Sequence, residues 1–299
     1  MERCIMNNDW RHEYEKVVLD GDIKTARQIV RENASRIKLL KFYRGTQLQL
    51  NTVMSGRFWL SNAKFFNDPY DSLPLANLRS KLQYDRYNPA ERKLALEEYE
   101  RQTKSDAIAY AIQSSIFVSC LTETSISNLH MWSYYADEHK GFCVEYSLQK
   151  LLDNDVDIFP VVYTEKWDAD RSKPEFNTQV ALIKGIEWAH ENEWRVVCVS
   201  PNDINKKGIK RTATMPEAIY VGCHDREHIT DNWNLYRNLV KTFKDNQQIT
   251  EYVFFGDDRK ISLDEILDQC QNYKGNKIPV FSMTLNESGF GLRKREVVY

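Results

Sequence analysis

The chain has 299 residues, 41 basic and 43 acidic, and its formal net charge of -2 excludes a global electrostatic pull toward nucleic acid or an anionic membrane. At that length either one large domain or two smaller ones can bury a sizeable core without staples. Six cysteines, at positions 4, 120, 143, 198, 223 and 270, form no C-x-x-C pair and sit mostly in apolar runs, a pattern of reduced buried thiols rather than a disulfide framework. The N-terminus MERCIMNNDWRHEYEK is charged and lacks an apolar h-region, and no later run is long enough for a membrane span. The expectation is a soluble cytoplasmic protein with no membrane partner.

The first 38 residues read as a helical hairpin: Val17, Val18, Ile23, Ala26, Ile29 and Val30 fall on helical spacing, interrupted by DGD. The period then changes to that of strands in LLKFYRG and GRFWLS, with TQLQLNTVMS between them as a short helix or turn. NAKFFNDPYDS is a loop, because proline pushes the preceding residue out of helical geometry. Residues 75–113 are charged, with apolar positions spaced for helices, and form a helical insertion. SSIFVSCL is a strand; SNLHMWSYYADEH is a short helix with Ser127 or Asn128 as N-cap and Gly141 as its end. GFCVEYS and FPVVYTEKW are strands, TQVALIKGIEWAHEN is a helix leading directly into the strand EWRVVCVS, and EAIYVGC is a further strand. Helices at about 225–244 and 263–273 precede two closing strands, KIPVFSMTL and LRKREVVY. This predicts one α+β domain over residues 39–299, with a mostly antiparallel sheet, behind the hairpin.

Ordinary phosphate loops are absent: there is no G-x-x-x-x-G-K-[ST] and no G-x-G-x-x-G after a strand, nor a G-x-S-x-G elbow. Cys223, His224 and His228 in CHDREH have the right chemistry for zinc but no matching second pair, so no metal site is expected.

Four segments gather groups that a site would use. Tyr43 and Arg44 end the first strand on opposite faces, so one packs while the other reaches a ligand. Ser61, Asn67, Asp68 and Asp71 follow the second strand, where Asx side chains also make structural turns. The aromatics there, Phe58, Trp59, Phe65, Phe66 and Tyr70, are expected in the core. In HMWSYYADEHKGFCVEYS, His130 and Tyr134 are helical neighbours, as are Met131 and Tyr135; Met131, Trp132 and Phe142 are assigned to core, and His130, Tyr134 or Tyr135 and Glu145 to a cleft wall. In HENEWRVV, Glu191, Glu193 and Arg195 share one strand face, opposite Trp194 and Val196. That face is either a cleft wall or a solvated ion pair.

The motifs FWLSNAKFFNDPYDS, MWSYYADEHKGFCVEY and HENEWRVV together resemble, over about residues 39–225, a bacterial family catalogued as domain of unknown function 2971. That resemblance names no activity. More distantly, a strand with a cationic end, a second ending in serine and a late strand opening with glutamate resemble the split sheet of ADP-ribosyltransferases, especially toxins that modify DNA. The resemblance implies an NAD-consuming transferase or glycohydrolase of the toxin or anti-phage effector kind, with a nucleic-acid or protein acceptor. It implies Glu193 and Glu191 as catalytic carboxylates, and NAD contacts from Tyr43, Arg44, Ser61, Asn67, Asp68, His130, Tyr134 and Tyr135. A carboxylate beside the nicotinamide glycosidic bond would stabilise the oxocarbenium-like centre that forms on cleavage. Two rivals stand beside it: a metal-dependent nuclease holding Mg2+ on Asp68, Asp71, Glu191 and Glu193, and a non-catalytic module binding a ligand or partner.

Overall fold

The structure is a computed structural model that describes residues 9–68, 70–73, 107–165, 175–223, 263–271, 277–286 and 291–296. The helix expected at 225–244, most of the insertion at 75–113, and His224 and His228 lie outside the described residues. In chain order the helices are α1 (Asp9–Leu19), α2 (Ile23–Asn33), α3 (Gln47–Met54), α4 (Leu129–Tyr135), α5 (Leu148–Asp153), α6 (Phe176–Leu182) and α7 (Leu263–Gln271). The strands are β1 (Lys38–Tyr43), β2 (Arg57–Asn62), β3 (Ile116–Thr122), β4 (Phe142–Ser147), β5 (Ile158–Pro160), β6 (Val162–Thr164), β7 (Ile183–Gly185), β8 (Glu193–Val199), β9 (Gly208–Thr212), β10 (Ala218–Val221), β11 (Val280–Leu285) and β12 (Leu292–Glu296). The fold is mixed α+β with mostly antiparallel strand pairing. Among the described residues no helix is long and apolar enough to cross a membrane.

Contacts divide the chain into two compact units, each assembled from three stretches: Met1–Ser35, Trp59–Cys120 and Asp155–Arg211 in the first, and Arg36–Phe58, Leu121–Asn154 and Thr212–Tyr299 in the second. In the first unit Gly21, at φ +77°, makes the reversal between α1 and α2, a left-handed conformation that costs glycine little. Asp22 then caps α2 by accepting from the Thr25 N–H at 3.0 Å. Three links tie the hairpin into the unit. The Tyr14 hydroxyl donates to the Pro160 carbonyl at 2.7 Å; Gln179 donates to the Val18 and Leu19 carbonyls at the C-terminal end of α1; and Arg27 grips Asp157 and Glu175. In the sheet β5 runs antiparallel to β8, β8 lies beside β3, β3 pairs antiparallel with β2, and β9 flanks β2.

The second unit orders its strands β12-β11-β10-β4-β1, antiparallel except for β10 and β11. β1 and β4 pair along their whole length, from Lys38 opposite Ser147 to Tyr43 opposite Phe142. Its apolar core holds Leu40, Trp132, Cys143, Tyr220 and Met283.

Two local expectations are corrected, and one strand appears for which the sequence gives no signal. α4 starts where predicted, with the Asn128 side chain accepting from the His130 and Met131 N–H groups, but ends at Tyr135, well before Gly141. Asp137, Glu138 and His139 all take positive φ, which breaks the helix, and Gly141 serves close packing instead: a Cβ there would collide with the Tyr43 carbonyl. The helix expected over TQVALIKGIEWAHEN divides into α6, then β7 paired parallel with β6, then a 3-10 turn at Ile186–Glu191. β9, in the polar run GIKRT, carries no apolar alternation and shows itself only through pairing with β2.

Candidate functional site

The site of interest lies wholly in the first unit and grows from β8. Its first four residues, EWRV, alternate charged side chains with apolar ones, which on a half-buried strand would put Glu193 and Arg195 in water. Here both faces are covered: Glu193, Trp194, Arg195 and Val196 are all buried, and Arg195 is fully enclosed. A buried guanidinium is tolerated only when its donors are taken. Arg195 gives two hydrogen bonds to Asp71, at 2.7 and 2.6 Å, two to Glu193, at 2.8 and 3.0 Å, and one to the Ala181 carbonyl at 2.8 Å.

A second cation completes the cluster. Lys184 of β7 donates to Glu191 at 2.6 Å and to Glu193 at 3.0 Å, with its ammonium 4.5 Å from the centre of the Trp188 ring. The extended backbone at Ile183–Gly185, where the predicted helix breaks, brings Lys184 to the two glutamates. Burial alone would raise the Glu193 carboxyl, but Arg195 and Lys184 outweigh it and hold the group at about 2, a carboxylate under all ordinary conditions. Burial would likewise lower the Lys184 ammonium, yet Glu193 and Glu191 shift it upward, so it stays charged. Burial pushes the Tyr163 phenol up, and its oxygen accepts the Glu193 backbone N–H at 2.8 Å. Two cations thus face three carboxylates, leaving the cluster with one net negative charge.

Asp71 and Lys184 are also wall residues of a cleft of about 290 Å³. Asp68, Glu165 and Glu187 add three more carboxylates to its lining, Tyr70 and Trp188 add aromatic rings, and Val180 and Ile183 form an apolar patch. Asp68 is nearly buried and turns its Oδ1 to the Tyr70 N–H at 2.9 Å, the Asx turn that proline in FNDPYD favours. The cleft is therefore acidic, partly aromatic, and backed by a fixed ion network.

The structure brings Glu191 and Glu193 together through Lys184 and sets Asp68 in the cleft wall. Glu191 and Glu193 stand behind that wall rather than in its lining. Ser61 is half-buried on β2, and Asn67 is exposed. The remaining candidates belong to the second unit. Tyr43 is buried and stacks on Phe142 with ring centres 5.0 Å apart, while Arg44 is exposed. His130, Tyr134 and Tyr135 are exposed along α4, whereas Met131, Trp132 and Phe142 are core, as the sequence indicates. Glu145 is half-buried, bonded to Lys38 and to the Tyr220 hydroxyl.

For the nuclease reading, three of the four proposed Mg2+ ligands, Asp71, Glu191 and Glu193, turn oxygens to arginine or lysine where a cation would bind. Among the described residues no cluster of three His, Cys, Asp or Glu has the arrangement of a metal site. Sequence reasoning passed over Lys184, whose signal was a lone lysine inside the apolar run ALIKGI, whereas Trp188, just before the strand, favours a functional reading from the sequence itself.

No curated protein and no solved structure matches the chain. Residues 131–196, which carry most of α4, all of β4 and the first four residues of β8 with Glu193 and Arg195, match the family model described as protein of unknown function (DUF2971).

Proposed function

We propose that the acidic cleft of the first unit takes the nicotinamide riboside end of NAD and that the protein cleaves the nicotinamide glycosidic bond, as the ADP-ribosyltransferase-like order of its motifs implies. The observation that carries the reading is the lining itself: carboxylates of Asp68, Asp71, Glu165 and Glu187 around the Trp188 and Tyr70 rings suit a flat ring bearing positive charge. In NAD the nicotinamide ring is such a cation. When the bond from its nitrogen to ribose C1′ breaks, the electron pair goes to the ring, which becomes neutral, and positive charge moves to the ribosyl carbon. Asp71 at the wall and Glu193 behind it supply a fixed negative field for that charge. Water or an acceptor group then bonds to C1′ and releases its proton to solvent. Lys184, the cation in the lining, is bonded to two glutamates, so the pyrophosphate lies outside the cleft.

One observation favours a second reading, a binding module without chemistry. Both Glu193 oxygens are taken by Arg195 and Lys184, which makes the residue a scaffold element as it stands.

Calorimetric titration with NAD, followed by assay of released nicotinamide, tests both. On the enzymatic reading NAD binds, Trp188→Ala removes the heat, and Glu193→Gln stops nicotinamide release. Reduced NAD, whose ring is neutral, binds at least tenfold more weakly. NAD binding without nicotinamide release selects the module; absence of heat with either form of NAD removes the nicotinamide assignment.

A further inference from the structure

The cleft of the first unit holds more negative charge than one nicotinamide ring answers. Both Asp71 oxygens face Arg195, so that carboxylate belongs to the ion cluster. Asp68, Glu165 and Glu187 line the cleft outside the cluster, and among the described residues none of them is in a salt bridge. Asp68 points most directly to a ligand, because it is only 9% exposed. One of its oxygens accepts the Tyr70 N–H, and the other has no partner among the described residues, which leaves a nearly buried carboxylate oxygen to the cleft. A carboxylate taken out of water without a cation is costly, and a ligand that brings the cation removes the cost.

The other two carboxylates stand at the C-terminal ends of β6 and β7. Thr164 lies opposite Gly185 in that parallel pair, and Glu165 follows it. Glu187 folds its Oε2 back over Gly185, 2.7 Å from where a Cβ would stand, so glycine makes the room for it. The rest of the lining is of two kinds: Leu73, Val180 and Ile183 are apolar, and Trp188 and Tyr70 are aromatic. The sequence placed Tyr70 in the core with Phe58, Trp59 and Phe65, yet of these only Phe58 is buried, and Tyr70 stands 65% exposed at the cleft.

We propose that this cleft binds linear aliphatic oligoamines, several ammonium groups on a methylene chain, and that they compete there with NAD. The ammonium groups answer the free carboxylates and sit against the Trp188 and Tyr70 rings, while the methylenes cover the apolar surface. NAD answers one carboxylate with its ring and carries a negative pyrophosphate toward an acidic site, whereas an oligoamine answers several and brings no negative charge. The inference stands on the charge and lining of the cleft and does not require that any bond be cleaved.

The test is calorimetric titration of the full chain with spermidine, putrescine and butylamine at fixed ionic strength. Spermidine should bind most tightly, with each lost ammonium weakening binding roughly tenfold. Asp68→Asn should weaken spermidine about tenfold, and Glu165→Gln with Glu187→Gln, at two exposed positions, about threefold. Circular dichroism checks the fold of Asp68→Asn; if that variant unfolds, the exposed pair carries the test. Failure of spermidine to bind overturns the proposal. So does spermidine binding that these substitutions leave unchanged, which places the amine elsewhere on the surface, or NAD binding that saturating spermidine does not weaken. Spermidine binding with no heat from NAD upholds the oligoamine site and removes the nicotinamide assignment, so the two readings fail separately.

Discussion

The two units bury different things, although the sequence of each is rich in aromatic and titratable residues. In the second, the stretch from His130 to Ser147 sorts cleanly: Met131, Trp132, Phe142 and Tyr146 go inside, and His130, Tyr134 and Tyr135 go outside. Its core is the ordinary apolar kind. In the first unit Asp71, Glu191, Glu193, Lys184 and Arg195 go inside together. Taking ions out of water costs several kcal/mol each before pairing, and replacing a buried ion cluster by apolar groups is often no loss of stability. An apolar core is therefore its own explanation, whereas a buried ion cluster beside a cleft points to a demand other than stability. That difference locates the candidate site in the first unit rather than in the aromatic helix that draws the eye in the sequence.

The sharpest way to break the comparison is to remove one member from each core. Arg195→Met leaves Asp71 buried without its cation and Glu193 with Lys184 alone, and the expected loss is about 3–5 kcal/mol by urea denaturation. Adding Asp71→Leu and Glu193→Leu to that variant should recover most of the loss, because the stranded charges go with the arginine; no recovery would mean that the cluster is itself stabilising. Trp132→Ala in the second unit should cost a similar 3–5 kcal/mol, through the cavity and the lost hydrogen bond from its indole to the Ile126 carbonyl. There no compensating charge change exists to rescue it.

Acid separates the units next. The Glu193 carboxyl is held at about 2 against an ordinary 4.5, a depressed value, so its contribution is fully present above pH 4.5 and lost as pH falls through 2. That contribution is on the order of 3 kcal/mol, and Glu193→Gln should flatten the stability profile between about pH 5 and 2. An unchanged profile in Glu193→Gln would mean that the carboxylate is not stabilised by its cations. The smallest effect is local: Asn128→Ala removes the α4 cap and should cost about 1 kcal/mol, with the second unit otherwise intact.

Much of the fold was legible beforehand because its signals are local. The hairpin follows from apolar spacing and Gly21; the Asn128 cap follows from a side chain that reaches the next turn; β1, β4, β8 and β10 follow from short β-rich runs. The misread positions have non-local causes. TQVALIKGIEWAHEN has helical spacing throughout, but Lys184 is drawn to Glu191 and Glu193, and β6 supplies a pairing partner for β7. β9 has no pattern of its own and exists because β2 offers an edge. Trp59 and Phe65 read as core because composition tells nothing of which face a strand turns to solvent.

The candidate site shows the same division. The sequence by itself determined that Glu193 and Arg195 share a strand face, since side chains alternate with a period of two wherever the strand lies. Only the tertiary structure decided that this face is buried, that Asp71 and Lys184 close around it, and that an acidic cleft opens beside them. Whether a charged face meets water or another charge depends on chain segments more than a hundred residues away, as Asp71 is from Arg195. Periodicity fixes direction along one strand, and only packing supplies what waits there.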